Sequence, residues 1–249
     1  MRNTTALALL IAAPMISVSA LGGAHADPLP VEPIGFVLNY DVKYAAFGGD
    51  VTLELLPGDT PNEYSISATT RPRGLAKMFA PKQSTETAEF TFVDGQVVSH
   101  RYTLEDGTPS EEKDSKVNFD WDTGSAYSVY EQEIAELPLG PDVYDRISAD
   151  VVVMLDQRNG KPPRTLYIVE KNQIREYTFE YQGEERIDLP QGPVDTVKYL
   201  RQRTGSSRSV MIWYAPELEF LPVRMEQLKR GKTQITFETT SYSLATRPQ

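Results

Sequence analysis

The sequence predicts a mainly β protein: a strongly curved antiparallel sheet of about 12–14 strands, a half-barrel or spiral barrel, with one central amphipathic helix and one short helix. Three observations lead there. Apolar residues alternate with polar ones over most of the chain. Asp-Gly and Pro-Gly clusters punctuate that alternation at short intervals. One stretch near the middle has helical spacing instead. About a dozen antiparallel strands cannot lie flat, because strand twist accumulates, so the sheet has to curl.

Residues 1–26 have the pattern of an export signal. Arg2 supplies a positive start, Ala6 to Leu21 is apolar, and Ala24-His25-Ala26 is a small-x-small cleavage site, with cleavage expected after Ala26. The apolar run is short of the roughly 20 residues a membrane span needs, and no second such run follows, so no transmembrane segment is expected in the mature chain. The remaining 223 residues (249 minus 26), 27–249, are expected to form a single domain in the periplasm.

The strands come next. Phe36, Leu38, Tyr40, Val42 and Tyr44 fall on one face, with polar residues between them. Val51, Leu53 and Leu55 repeat the pattern after Gly48-Gly49-Asp50, and Tyr64, Ile66 and Ala68 follow the Pro57-Gly58-Asp59 turn. AEFTFVDGQVVSHRY and VNFDWDTGSAYSVY are hairpins tipped by Asp94-Gly95 and Asp122-Thr123-Gly124. Arg73 to Phe79 allows one or two helical turns. PDVYDRISADVVVMLDQRNG predicts the central helix: Pro141, Asp142 and Asp145 suit its start, and Val143, Ile147, Val151, Met154 and Leu155 make an apolar stripe. TLYIVEKNQIREYTFEYQ, split at Lys171-Asn172, then VDTVKYLRQR, RSVMIWYA, PVRMEQLKR and KTQITFETTSYSL supply the remaining strands.

IWYAPELEFLPVRMEQ is interrupted by Pro216 and Pro222. Pro216 cannot donate to a ladder, so pairing ends near Ala215, and Pro222 opens the next strand. The two prolines deny this segment one continuous strand and fix a hairpin corner. The segment Trp213 to Arg224, with YDRISADVVVMLDQR and VNFDWDTGSAY, resembles a family of proteobacterial periplasmic proteins catalogued as a domain of unknown function. The resemblance implies topology and location, and no catalytic residue. The strand-rich chain with a plugging helix is also similar in fold to the curved-sheet lipoprotein carriers of the outer-membrane sorting pathway.

Composition removes several classes of function. No cysteine is present, which excludes thiol chemistry, cysteine-ligated zinc and disulfides, so the apolar core has to carry stability. Removing Arg2 leaves 24 Lys and Arg against 35 Asp and Glu, a net charge of −11 that repels nucleic acid and anionic lipid surfaces at long range. His100 is the one histidine of the mature chain and has no local nucleophile motif such as Gly-x-Ser-x-Gly. Asp122-Thr123-Gly124 matches the aspartic-protease tripeptide, but that chemistry needs two carboxylates sharing a proton, and a turn accounts for it better. The five carboxylates between Glu105 and Lys116 lack ordered calcium-loop spacing and fit a solvated loop. No cofactor or metal is expected.

The aromatic residues are the candidate binding groups. Tyr177, Phe179 and Tyr181 line one strand face, and Tyr199 and Trp213 lie on neighbouring strands; in a half-barrel they would wall a concave apolar pocket or fill a solid core. The expectation is a non-enzymatic exported binding or envelope-interaction module, holding an acyl chain or an apolar segment, with lipid or an envelope protein as partner and no nucleic acid. Two alternatives stand beside it: a carboxylate-dependent hydrolase acting on envelope glycans, and a structural scaffold.

Overall fold

The computed structural model describes residues 31–245, except 46, 79–80 and 111–112. The expected signal at 1–26 lies outside the described residues. Fifteen strands form one sheet. They are β1 (Phe36–Tyr44), β2 (Phe47–Pro57), β3 (Glu63–Arg73), β4 (Ser84–Val93), β5 (Gln96–Glu105), β6 (Ser115–Asp120), β7 (Ser125–Tyr130), β8 (Glu133–Pro138) and β9 (Val143–Tyr144). After helix α1 (Ser148–Arg158) come β10 (Leu166–Glu170), β11 (Gln173–Leu189), β12 (Gly192–Arg203), β13 (Arg208–Ala215), β14 (Leu221–Lys229) and β15 (Lys232–Leu244). Short 3-10 turns cover Gly74–Met78 and Pro216–Leu218.

The spatial order runs β8 to β1, then β15 down to β9. The first and last strands therefore pair at the centre, and the two free edges, β8 and β9, are consecutive in sequence. Every pairing is antiparallel except the two-residue β9–β10 contact. The sheet is strongly curved and no strand pair closes it. Its edges approach at one point. Asn172, at φ 58° in the β10–β11 turn, accepts from Ser128 Oγ at 2.8 Å and donates to the carbonyl of Glu133 at 3.0 Å. One amide side chain thus stitches the seam.

The alternation places Leu38, Tyr40, Leu55, Ile66, Phe90, Val117, Leu166, Ile212 and Tyr214 in a single core, all nearly inaccessible. The helix lies within the curl. It packs against β4 and β5, Arg201 of β12 reaches its Asp150, and Phe36, Leu55 and Leu244 surround Val151, Met154 and Leu155. It differs from the expected helix in two ways. It begins at Ser148 rather than near Pro141, because Asp142 takes a left-handed φ of 57° and Val143–Tyr144 pair with β10. It is also buried almost all round, Val152, Val153, Asp156 and Gln157 included, because strands enclose it where an amphipathic helix would leave one face to water.

Asp145 anchors the helix start. Its Oδ1 accepts the N–H groups of Ile147 and Ser148 at 3.0 and 2.8 Å, and its Oδ2 accepts the Ser99 hydroxyl of β5 at 2.8 Å and that of Ser148. The opposite helix end is held by Arg158, whose side chain reaches Glu219 at 2.9 Å and the carbonyl of Glu32 at 2.6 Å. Glu219 sits in the corner the two prolines frame, at φ 57°, where the Phe220 N–H closes on the Ala215 carbonyl at 2.9 Å. The interrupted segment therefore turns the chain and also receives the helix terminus.

Asn172 and Asp145 can each be tested by substitution. Replacing Asn172 by Gly keeps the positive φ and removes the amide, so it is expected to destabilise by about 1 kcal/mol and to speed amide exchange in β8 relative to β1, measured by hydrogen exchange. Asp145→Ala strands two N–H groups and leaves the Ser99 and Ser148 hydroxyls only each other, at 2.8 Å, and is expected to cost about 2–4 kcal/mol in urea unfolding. Burial pushes the Asp145 carboxyl above its ordinary value, with its hydrogen bonds pulling the other way. The folded state then holds that proton more tightly than the unfolded chain. The stability contribution is full below about pH 4 and is lost as pH rises through the folded value. The stability of wild type relative to Asp145→Asn is accordingly expected to fall as pH rises from about 4 toward neutrality.

Candidate functional site

In an up-and-down sheet, alternate turns lie at opposite ends. The turns β2–β3, β4–β5, β6–β7, β11–β12 and β13–β14 share one end with the chain segments flanking β1 and β15, and α1 descends into that end. The turns β1–β2, β3–β4, β5–β6, β7–β8, β10–β11, β12–β13 and β14–β15 rim the other. The helix fills the first end and leaves the second open.

The open half of the interior has two walls. Along β10–β14 lies a cavity of about 460 Å³ lined by Arg146, Lys171, Arg201, Arg203, Arg208 and Lys229, with Glu170 as its one carboxylate. Along β1–β3 and β15 lies a groove of about 550 Å³ lined almost wholly by apolar groups: Val42, Phe47, Val51, Pro72, Ala76 and Phe237, over the backbone of Gly48 and Gly49. The two share Tyr44 and Ile235. A third recess, about 300 Å³ against β4–β7, shares Arg146, Glu170 and Lys171 with the cationic cavity. The glycines matter to the groove. A Cβ on Gly49 would come within 3.0 Å of the Arg71 carbonyl, so the floor there is bare backbone.

The cations divide into braced and free groups. Arg146 makes a forked contact with Glu86, whose carboxylate also accepts the Tyr102 hydroxyl at 2.8 Å. Arg201 pairs with Asp150 at 2.8 Å, and Arg203 with Glu170 at 2.7 Å. Burial pushes the Asp150 carboxyl up while Arg201 pulls it back, and the coulombic attraction of Glu86 raises Arg146. The Arg201 Nε–H has no acceptor among the described residues. Arg208 and Lys229 have no ion-pair partner among the described residues either. They stand opposite each other in the β13–β14 register, and Lys229 stands opposite Lys232 in the next. Facing like charges destabilise a sheet. The row of three across adjacent strands concentrates positive charge at this end of a chain of net charge −10.

The aromatic residues of the sequence expectation separate here. Tyr177 lines the cationic cavity, donates to Glu170 at 3.0 Å and lies under the Arg201 guanidinium at 5.9 Å; burial pushes its phenol up to about 12. Phe179 and Tyr181 share its face, paired with Arg201 and Tyr199, while β10 ends opposite Tyr177 and leaves Tyr181 55% exposed at a free edge. Tyr181, Tyr199 and Tyr214 form an edge-to-face series at 5.7 and 6.3 Å. Trp213 lies on the opposite face from Ile212 and Tyr214, under Arg224 at 4.9 Å, its Nε1 donating to Glu185 at 3.1 Å.

Other candidates are engaged locally. His100 is exposed and hydrogen-bonds Thr91 at 2.9 Å. In the Asp122-Thr123-Gly124 turn, Asp120 accepts the N–H groups of Asp122 and Thr123, and Gly124 has φ 70°. In the acidic loop, Asp106 accepts from Thr108 and Asp114 accepts from Asp106, while Glu111 and Glu112 lie outside the described residues. Among the described residues no group of three His, Cys, Asp or Glu could hold a metal. A depression on the other face gathers Asp41, Glu185, Asp188 and Glu238, but Arg73, Lys198 and Lys43 occupy all except Asp188. Glu86 and Asp150 line none of the cavities. No helix among the described residues is long and apolar enough to cross a membrane.

No curated protein matches the chain. Among solved structures it is similar to a β-barrel-like protein of domain of unknown function DUF1849 from Brucella abortus, at 8% identity and a TM-score of 0.49, over 86% of this chain and 99% of that one. Residues 39–238 match the family described as protein of unknown function (DUF3108). That match spans most of the sequence, and the chain belongs to this family.

Proposed function

We propose that the protein is an exported, periplasmic, non-enzymatic binding module that holds an anionic amphiphile in the open half of its curl. The head group would lie against Arg203, Arg208 and Lys229, and the apolar chain along Val42, Val51 and Phe237. One observation carries this reading: a cationic wall and an apolar wall adjoin in one concavity and share Tyr44 and Ile235. Their sizes fall in the range of small-molecule sites, roughly 300–1,000 Å³. Supporting the location are Arg2, the apolar run Ala6–Leu21 and the Ala24-His25-Ala26 site. Tyr177 belongs to the site as a polar handle. Phe179, Tyr181 and Tyr199 extend its face toward the β11 edge.

Calorimetric titration with dodecyl phosphate and dodecyl maltoside tests the proposal. The phosphate is expected to bind and the uncharged maltoside to bind at least about tenfold more weakly. Affinity should rise roughly tenfold for each two methylenes added, up to the groove's length, since a buried CH₂ is worth about 0.8 kcal/mol. Arg208→Gln with Lys229→Gln should weaken the phosphate about three- to tenfold and leave the maltoside unchanged. Val42→Trp, which fills the groove, should weaken both. Equal affinity for the two head groups, or no binding of either, would overturn the proposal.

A further inference from the structure

We infer that the open rim docks on an anionic lipid bilayer, with Leu75 and Met78 entering the acyl boundary. The inference rests on the cavity reading above and supplies the source of the amphiphile. Charge in the turns sorts between the two ends of the curl. The strand-to-strand turns at the plugged end carry Asp59, Glu63, Asp94, Asp120, Asp122, Glu217 and Glu219 and no Lys or Arg, while in the α1–β10 loop at the same end Arg164 is paired with Asp142 and Asp156 and Lys161 has no ion-pair partner among the described residues. The arc of rim turns from β3–β4 round to β12–β13 carries Lys77, Lys82, Arg208, Lys229, Arg230 and Lys232, none ion-paired among the described residues. Whole-chain charge opposes an approach to anionic lipid, yet this arc attracts it. A molecule polarised along its axis turns its basic end toward such a surface.

The apolar component sits in the same arc. Leu75 is 60% exposed and Met78 77% exposed, on the 3-10 turn beside the apolar groove, with Lys77 between them. Large apolar tips flanked by lysines are the arrangement of interfacial anchors, in which cations meet head groups while side chains reach the acyl region. Acidic residues on the rim, Asp106, Asp114, Glu131 and Glu133, lie in the β5–β6 and β7–β8 turns, on the far side of the mouth. The bilayer contact is therefore lopsided: the protein tilts onto the Gly74–Met78 turn and the β14–β15 turn. In that pose Tyr44, 49% exposed and shared by both walls, stands where an amphiphile would pass from membrane to cavity.

Co-sedimentation of the full chain with vesicles decides it. Vesicles containing phosphatidylglycerol should bind the protein at low salt, with binding weakened as salt rises, and pure phosphatidylcholine vesicles should not. The triple variant Lys77→Glu, Lys82→Glu, Arg230→Glu touches none of the cavity-lining residues and should lower partition at least about tenfold. Leu75→Asp with Met78→Asp should lower it comparably, with unchanged circular dichroism and melting temperature in both cases. Equal binding to the two vesicle types, or charge-reversal without effect, overturns the inference. Titration of the same variants with dodecyl phosphate below its micelle concentration separates the two readings. Lost docking with intact dodecyl phosphate binding upholds both. Absent docking in the wild type, with that binding present, sinks docking alone.

Discussion

Asp145 holds the one segment on which the shape of the molecule depends. Because β1 and β15 pair at the centre, the sheet's free edges are the successive strands β8 and β9. The chain that crosses between them carries α1, so the crossing and the plug are the same piece of polypeptide. A carboxylate with no exposed surface takes two N–H groups and two hydroxyls, from the helix itself and from β5. Satisfying all four is what makes a buried carboxylate tolerable. Arg146–Glu86 and Arg201–Asp150 add cross-links from the same region to β4 and β12. With the helix pinned toward one end, no described element fills the other end of the curl.

That asymmetry produces the site. Side chains on the inner face are consumed by the helix at the plugged end, where Phe36, Leu55 and Ile66 are nearly inaccessible. Toward the rim the same faces meet no helix, and bare glycines and short side chains on β1–β3 face cations on β12–β14. Both walls follow from one alternation, differing only in which residue types occupy the inward positions. The rim inherits its charge from the turns, which side-chain packing leaves free to vary.

Much of this architecture was legible in the sequence. The period-two runs located nearly every strand, and Asp94-Gly95 and Lys171-Asn172 marked tight turns that the positive φ angles of Asp94, Lys171 and Asn172 bear out. The proline-framed corner at Pro216 and Pro222 was readable because proline acts locally. The helix start was not, since Val143–Tyr144 form strand only through a tertiary pairing with β10 that overrides local signals. Nor did the aromatic pattern separate Trp213 from Tyr177: strand faces are local, but whether a face looks inward or outward is decided by the curl. The cationic rim was hidden by a net charge of −10. A signal for it was present in the turn Lys229-Arg230-Gly231-Lys232 and in the sorting of acidic and basic turns by parity along an up-and-down meander.

The most direct test of the two-walled site is nuclear magnetic resonance of isotope-labelled protein with spin-labelled lysophosphatidylglycerol, the label at the end of the acyl chain. The account requires broadening of amides at Val42, Gly49 and Phe237, with shift changes but little broadening at Arg208 and Lys229. Broadening centred on Trp213 and the outer face, or none at any inner position, would contradict it.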